Sequence, residues 1–224
     1  MNILITAGST CVQIDQVRVI SNIFKGRTGI EIARAAANMG HRVTLLTSRG
    51  IGATSQLLRE PLSPSHAITL CGFRTFDELS VLMEQKIRGE KFDAIIHSAA
   101  VSDYKVASVR DGGRMLDADE TGSKIGSGHG SLWLELVPTE KLVDKIRPVW
   151  GFKGTLVKFK LQVGIPDDEL ITIARKSRRD SEADIIVANC LEWAKEYAYI
   201  IGANDQAERV TRETLPYVLL RRLS

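Results

Sequence analysis

Along the chain, short β-branched and aliphatic runs alternate with amphipathic stretches. Residues 2–6 are an apolar run, residues 27–39 place apolar side chains at helical spacing, and residues 42–47 return to a β-branched run. This is the strand, helix, strand rhythm of a parallel α/β sheet. Gly40 supplies a left-handed stop after the first helix. Further strands are expected at 66–71, 93–98, 155–161 and 184–189, with helices at 75–88, 138–147 and 166–181. DAIIHSAA and DIIVAN are apolar on successive residues, as strands covered on both faces must be, and each begins with an Asp that leaves the interior. The pattern predicts an α/β fold with a doubly wound, Rossmann-like, mostly parallel sheet and helices on both faces.

Three segments break the rhythm, and in open α/β sheets ligands sit at the irregular carboxyl ends of the strands. Residues 7–25 are far longer than an ordinary βα loop. Residues 99–131 carry DGG and TGSKIGSGHG with little periodicity, which predicts a flexible flap over about 104–131 followed by a strand LWLELV. Residues 190–197 lead into a strand at 197–202 and a C-terminal helix over about 205–222. With no internal repeat and no linker, the chain is expected to be one domain over residues 1–224.

Composition narrows the function. At 44% hydrophobic and 25% charged, the 224 residues exclude collagen, disordered tails and disulfide scaffolds. Cys11, Cys71 and Cys190 lack ligand or framework spacing, and the four His form no metal-binding pair, so no protein-built metal site and a reducing, cytoplasmic setting are expected. No apolar run approaches a membrane span and no secretion leader is evident. A net charge of +3 without a basic block or aromatic interleaving argues against nucleic acid.

Several constellations suit small anionic ligands. AGST after the first strand and GRTG opening the first helix bring Gly8, Gly26 and Gly29 to one helix N-terminus, an arrangement fit for phosphate or simply for tight packing. It is neither a Walker loop nor GxGxxG. IDQVRVISN offers Asp15, Arg18, Ser21 and Asn22, which serve either ligand binding or an ordinary polar loop. In HSAAVSDYKV, Ala99 and Ala100 would let a ligand approach the backbone, and Asp103 is either a ligand contact or a turn cap. Lys160 in LVKFKLQ is either a cation for developing charge or a solvent-facing lysine on an alternating strand. His97, inside an apolar strand, reads as a satisfied core histidine.

AGST, IDQVRVISN, GRTG, SAAVSDY, KI followed by PTEKL, FKL and IIVAN stand in that order, and the chain from residue 2 to about 190 resembles phosphopantothenoylcysteine synthetase, the phosphopantothenate–cysteine ligase. The resemblance implies a stand-alone ligase of coenzyme A biosynthesis. Such an enzyme activates the carboxylate of 4'-phosphopantothenate with ATP or CTP and Mg2+, releases pyrophosphate, and passes the acyl group to cysteine. It implies nucleotide contacts at Gly8, Gly26, Gly29, Phe159 and Asn189, and phosphopantothenate contacts at Ala99, Ala100 and Asp103. Arg18 matches an arginine that reaches into the neighbouring subunit's site, so a homodimer is implied. Asn22 matches the asparagine that handles the acyl intermediate, and Lys160 is assigned the activating role, with Lys176 and Lys124 as alternatives. Many bacterial members carry that lysine where this chain has Ser177.

Departures are equally definite. Phe24-Lys25 replaces the usual pair of serines before GRTG, and Cys190 replaces an Asp after VAN. The flavin-binding decarboxylase half often fused to the family has no counterpart in this sequence, so no FMN is expected. Two rival readings remain at this level: a nicotinamide-dependent reductase using Thr47-Ser48-Arg49 for a 2'-phosphate, and a catalytically silent nucleotide-binding relative.

Overall fold

A computed structural model describes residues 1–48, 50, 52–54, 58, 68–116, 122 and 124–223. The expected strand at 66–71 falls partly outside these residues, and Arg49 wholly outside them. Strands β1 (Asn2–Ala7), β4 (Arg42–Thr47), β5 (Ile68–Gly72), β6 (Ala94–His97), β10 (Thr155–Gln162), β11 (Ile185–Cys190), β12 (Tyr197–Ile201) and β13 (Ala207–Thr211) build one eight-stranded sheet. Its order is β13-β12-β11-β10-β6-β1-β4-β5. Pairing is parallel from β5 across to β11 and antiparallel for β12 and β13. The chain first winds outward through β4 and β5, then returns to add β6 on the other flank of β1, so the direction of winding reverses between β1 and β6.

Helices cover both faces. α1 (Arg27–Asn38) and α4 (Leu215–Arg221) bury Ile30, Ile32, Ala36, Leu219 and Leu220 against Ile3, Ile5 and Val187. On the opposite face, α2 (Phe76–Gly89) packs Leu79, Met83 and Ile87 with Leu4 and Ile95, and α3 (Asp167–Asp180) packs Leu170 and Ala174 against Ile186 and Ala188. Thr75 caps α2 by accepting from the Glu78 N–H at 3.2 Å, with Asp77 and Glu78 in its first turn and Lys86 and Arg88 in its last. The Asp residues expected to leave the interior do so: Asp93 accepts the Asn2 N–H at 2.6 Å, and Asp184 accepts the Leu156 N–H at 2.7 Å. Each fastens the amino end of its strand to a neighbour.

Three segments differ from the pattern. Residues 7–25 contain a hairpin, β2 (Cys11–Gln13) with β3 (Val19–Ser21), whose turn is tightened by Asp15 accepting the N–H groups of Val17 and Arg18. The segment expected as a flap supplies β7 (Tyr104–Asp111) and β8 (Arg114–Met115), which join β9 (Leu132–Pro138) in a three-stranded antiparallel sheet. The strand at LWLELV is thus present. The helix expected at 138–147 is replaced by the end of β9 and one 3-10 turn, Leu142–Lys145. Thr139 is held extended because its N–H donates to the Asp103 carbonyl and its hydroxyl to the Ser102 carbonyl, and only the apolar face of Leu142, Val143 and Ile146 survives from the helical pattern.

The C-terminal helix expected over 205–222 starts only at Leu215. Asp205, at φ 57, turns the chain, and residues 207–211 pair with Tyr197–Ile201 instead. Backbone pairing along β12 outweighed a weak local helical pattern.

Candidate functional site

The crevice where winding reverses lies at the carboxyl ends of β1 and β6. There the two emerging segments are bound to each other: the Ala100 N–H donates to the Gly8 carbonyl at 2.8 Å, and the Thr10 N–H to the Ala100 carbonyl at 3.2 Å. Thr10 and Ser102 add a hydroxyl pair at 2.9 Å. Asn22, past β3, donates its side-chain N–H to the same Ala100 carbonyl at 3.3 Å and is itself exposed. Its carboxamide is anchored to that carbonyl, and the residue lines a hollow shared with Ser9, Phe24 and Ser48.

The three glycines meet here with little room to spare. Gly26, the residue before α1, has φ 74, and a Cβ on it would lie 2.2 Å from the Gly8 nitrogen. Gly8 has φ 93, and a Cβ on it would strike the Ser48 hydroxyl at 2.0 Å. At Gly29 the obstacle would be Ser98 Oγ at 2.5 Å. The tight packing expected of these glycines is present, and it leaves the α1 N-terminus facing the crevice. Ser48 Oγ, accepting the Ser9 N–H at 2.9 Å, closes the turn from the β4 side.

A neighbouring cavity of about 170 Å3 brings together Ala99, Asp103, Phe159 and Lys160. The backbone of Asp103 is fixed by the Thr139 N–H at 2.9 Å. Asn189 lies one strand further out, opposite Leu161 in the β10–β11 register, and is not among the lining residues. Of the three lysines considered, Lys160 faces this cavity. Lys176 is spent on Asp180 at 2.6 Å on the outer side of α3, and Lys124 is exposed beside Ile125. Phe24 and Lys25 line a second hollow of about 360 Å3 with Ser9, Asn22, Ser48 and Arg74.

Arg18 is engaged inside its own chain. Its guanidinium donates to Asp15 Oδ2 at 2.5 and 2.9 Å and to the Ile125 carbonyl at 2.6 Å. Asp15 also accepts the Ile125 N–H at 3.1 Å. The guanidinium, together with three backbone N–H groups, holds the Asp15 carboxyl well below the usual carboxylate range. This latch ties the β2–β3 turn to the KI segment, a contact invisible in sequence because 110 residues separate its ends.

His97 is buried and paired with Thr6 Oγ1 at 3.0 Å, as a core histidine should be. Burial first, and then the charge of Lys158, depress it to about 4. Lys158 is the residue that sequence reading passed over. The alternation of LVKFKLQ puts it on the same face of β10 as Lys160, yet it is buried, and that burial lowers its pKa. Its one visible signal was the K-x-K spacing.

Fold and site together define a doubly wound α/β protein with an anion-suited crevice at its switch point. Residues 1–212 match the family profile of the DNA/pantothenate metabolism flavoprotein C-terminal domain, and the chain belongs to that family. It is 32% identical over 215 residues to the coenzyme A biosynthesis bifunctional protein CoaBC of Thermococcus kodakarensis, covering 95% of this chain and 47% of that one. The chain thus spans about half the length of the curated relatives it matches. Among solved structures, the DNA/pantothenate metabolism flavoprotein from Streptococcus pneumoniae superposes with TM-score 0.81 at 29% identity, over 99% of this chain and 97% of that one. A Cab2 variant in complex with phosphopantothenate-cysteine shares the fold, with TM-score 0.72 at 15% identity over 98% of this chain and 85% of that one.

Proposed function

We propose that the chain is a phosphopantothenate–cysteine ligase of coenzyme A biosynthesis. The observation that carries this reading is the convergence of the anchored Asn22 carboxamide, the Ala99-Ala100 backbone, Asp103 and Lys160 around one crevice and its adjoining cavity. The family and the 32% identical CoaBC relative support the same chemistry. In this reading the phosphopantothenate lies along Ala99, Ala100 and Asp103, and the nucleotide lies across Gly8, Gly26 and Gly29 at the α1 N-terminus, with Phe159 and Asn189 at the strand ends beyond. Lys160 neutralises charge as the carboxylate attacks the α-phosphate. Asn22 then holds the acyl carbonyl for attack by the cysteine amine.

Mg2+ fits this arrangement as part of the nucleotide. No group of three or more His, Cys, Asp or Glu side chains suited to a metal occurs among the described residues, and Mg2+ is commonly held by substrate phosphates with one or two carboxylates. Either ATP or CTP is the nucleotide. A homodimer completes the proposal, with Arg18 at the interface; Val17, at 62% exposure, and Ile23, at 78%, leave apolar surface beside it. Among the described residues no helix is long and apolar enough to cross a membrane.

The nicotinamide reductase reading has no support in the family to which the chain belongs. The test is pyrophosphate release with 4'-phosphopantothenate, Mg2+ and either nucleotide, with and without cysteine. Cysteine-dependent turnover establishes the ligase and names the nucleotide. A folded protein silent with both would point to a relative that has lost the chemistry at Phe24-Lys25.

A further inference from the structure

Lys158 is buried, and both oxygens that its ammonium reaches are neutral: the Ser177 carbonyl at 3.1 Å and Ser181 Oγ at 2.9 Å. Among the described residues no carboxylate lies within ion-pair distance of it, and a buried lysine without one is uncommon. The ammonium has three donors, so one remains. It lines the 170 Å3 cavity together with Lys160, Lys141 and Ser177. The charges around it are Lys160 on β10, Lys141 and Asp144 before and in the 3-10 turn, Asp103 on the cavity wall and Asp180 on α3, with neutral His97 on β6. Asp180 already takes Lys176, and the cavity's Glu140 takes Lys145 at 3.0 Å. A cation withdrawn from water without an ion partner, with two more lysines lining the same cavity, is a site suited to an anion.

We infer that Lys158 binds a pyrophosphate-type anion in this cavity, as a buried cation that extends the nucleotide's phosphate site from the α1 N-terminus past Phe159, where it meets the phosphopantothenate beside Asp103. Its identification with the nucleotide rests on the ligase reading above; the anion site itself does not. The cavity has room for phosphoryl groups rather than for a nucleoside. In the free protein the Ser177 carbonyl, one of the last four of α3 and so without an intrahelical partner, holds the ammonium in place. When the anion enters, the remaining donor turns to it without the side chain leaving α3.

Inorganic pyrophosphate, titrated calorimetrically into wild type, Lys158→Met and Lys158→Gln, tests the assignment. A charge-assisted hydrogen bond in a desolvated site corresponds to roughly 10- to 100-fold in affinity. Both variants should lose that much, while Lys91→Met, an exposed lysine before the amino end of β6 and so at the opposite end of the strands, should lose almost nothing. Lys158→Gln keeps a donor for the Ser177 carbonyl and so remains informative should the Met variant misfold. Wild-type affinity in either folded variant, or no pyrophosphate binding by the wild type, overturns the assignment and leaves Lys158 as a strut that caps α3. Pyrophosphate binding that depends on Lys158, in a protein without cysteine-dependent turnover, would remove the ligase reading and leave the anion site standing.

Discussion

Replacing Gly26 with alanine probes whether the crevice is built on backbone contact. The left-handed conformation at φ 74 costs a non-glycine residue about 1–2 kcal/mol. The added Cβ would lie 2.2 Å from the Gly8 nitrogen and 2.9 Å from the Ala7 carbonyl carbon. Both are backbone atoms of a turn fixed by the Ala100 N–H and by β1, so relief requires moving α1 off the sheet. Overpacking of this kind costs about 1–3 kcal/mol. Lower unfolded-state entropy offsets roughly 0.4–1 kcal/mol. The net loss is about 2–4 kcal/mol, which for a chain of this length lowers Tm by roughly 5–15 °C. Gly151 is the control: it has φ 76 but nothing within 4 Å of its Cβ position. Gly151→Ala therefore carries the strain without the clash, and should cost no more than about 1.5 kcal/mol. Thermal unfolding followed by circular dichroism measures both. Equal Tm values for the two variants would show that the Gly26–Gly8 contact adds nothing beyond conformational strain, and the account of the crevice would fail.

Three further outcomes are expected. Asn22→Asp replaces an exposed donor with a charge, so Tm should stay within a few degrees while product formation slows at least about tenfold; unchanged turnover would remove Asn22 from the mechanism. His97, depressed to about 4 by burial, favours the neutral form in the folded state. Its contribution is complete above the unfolded value near 6.5 and is lost as pH falls from there to about 4, amounting to roughly 3 kcal/mol. Urea titrations between pH 4 and 7 should show a shallower acid slope in His97→Gln, and identical slopes would contradict the burial argument. Asp15→Ala removes the acceptor of the Ile125 N–H, so trypsin should cleave after the exposed Lys124 faster than in wild type. An unchanged cleavage rate would mean that the latch does not hold this segment.

The doubly wound class was legible because β1, β4, β6, β10 and β11 are short apolar runs separated by amphipathic segments, and because Asp93, Asp184, Gly40 and Thr75 mark element ends by local chemistry. Local signals failed where pairing partners decide the outcome. Residues 207–211 become a strand because β12 offers a free edge, and Pro138 ends a strand because β7 lies beside it. The crevice residues Asn22, Ala99, Ala100 and Asp103 were nameable from their motifs, but their grouping depends on the reversal between β1 and β6. Lys158 and Lys160 look alike in LVKFKLQ. Both line the cavity, but one lies buried under α3 against Ser177 and Ser181 and the other is only half-buried. The 3.6- and 2-residue periods that specify elements are properties of neighbouring residues, so the chain itself carries them. Burial, desolvation and the Asp15–Ile125 latch arise between residues tens to more than a hundred positions apart, and only packing creates them.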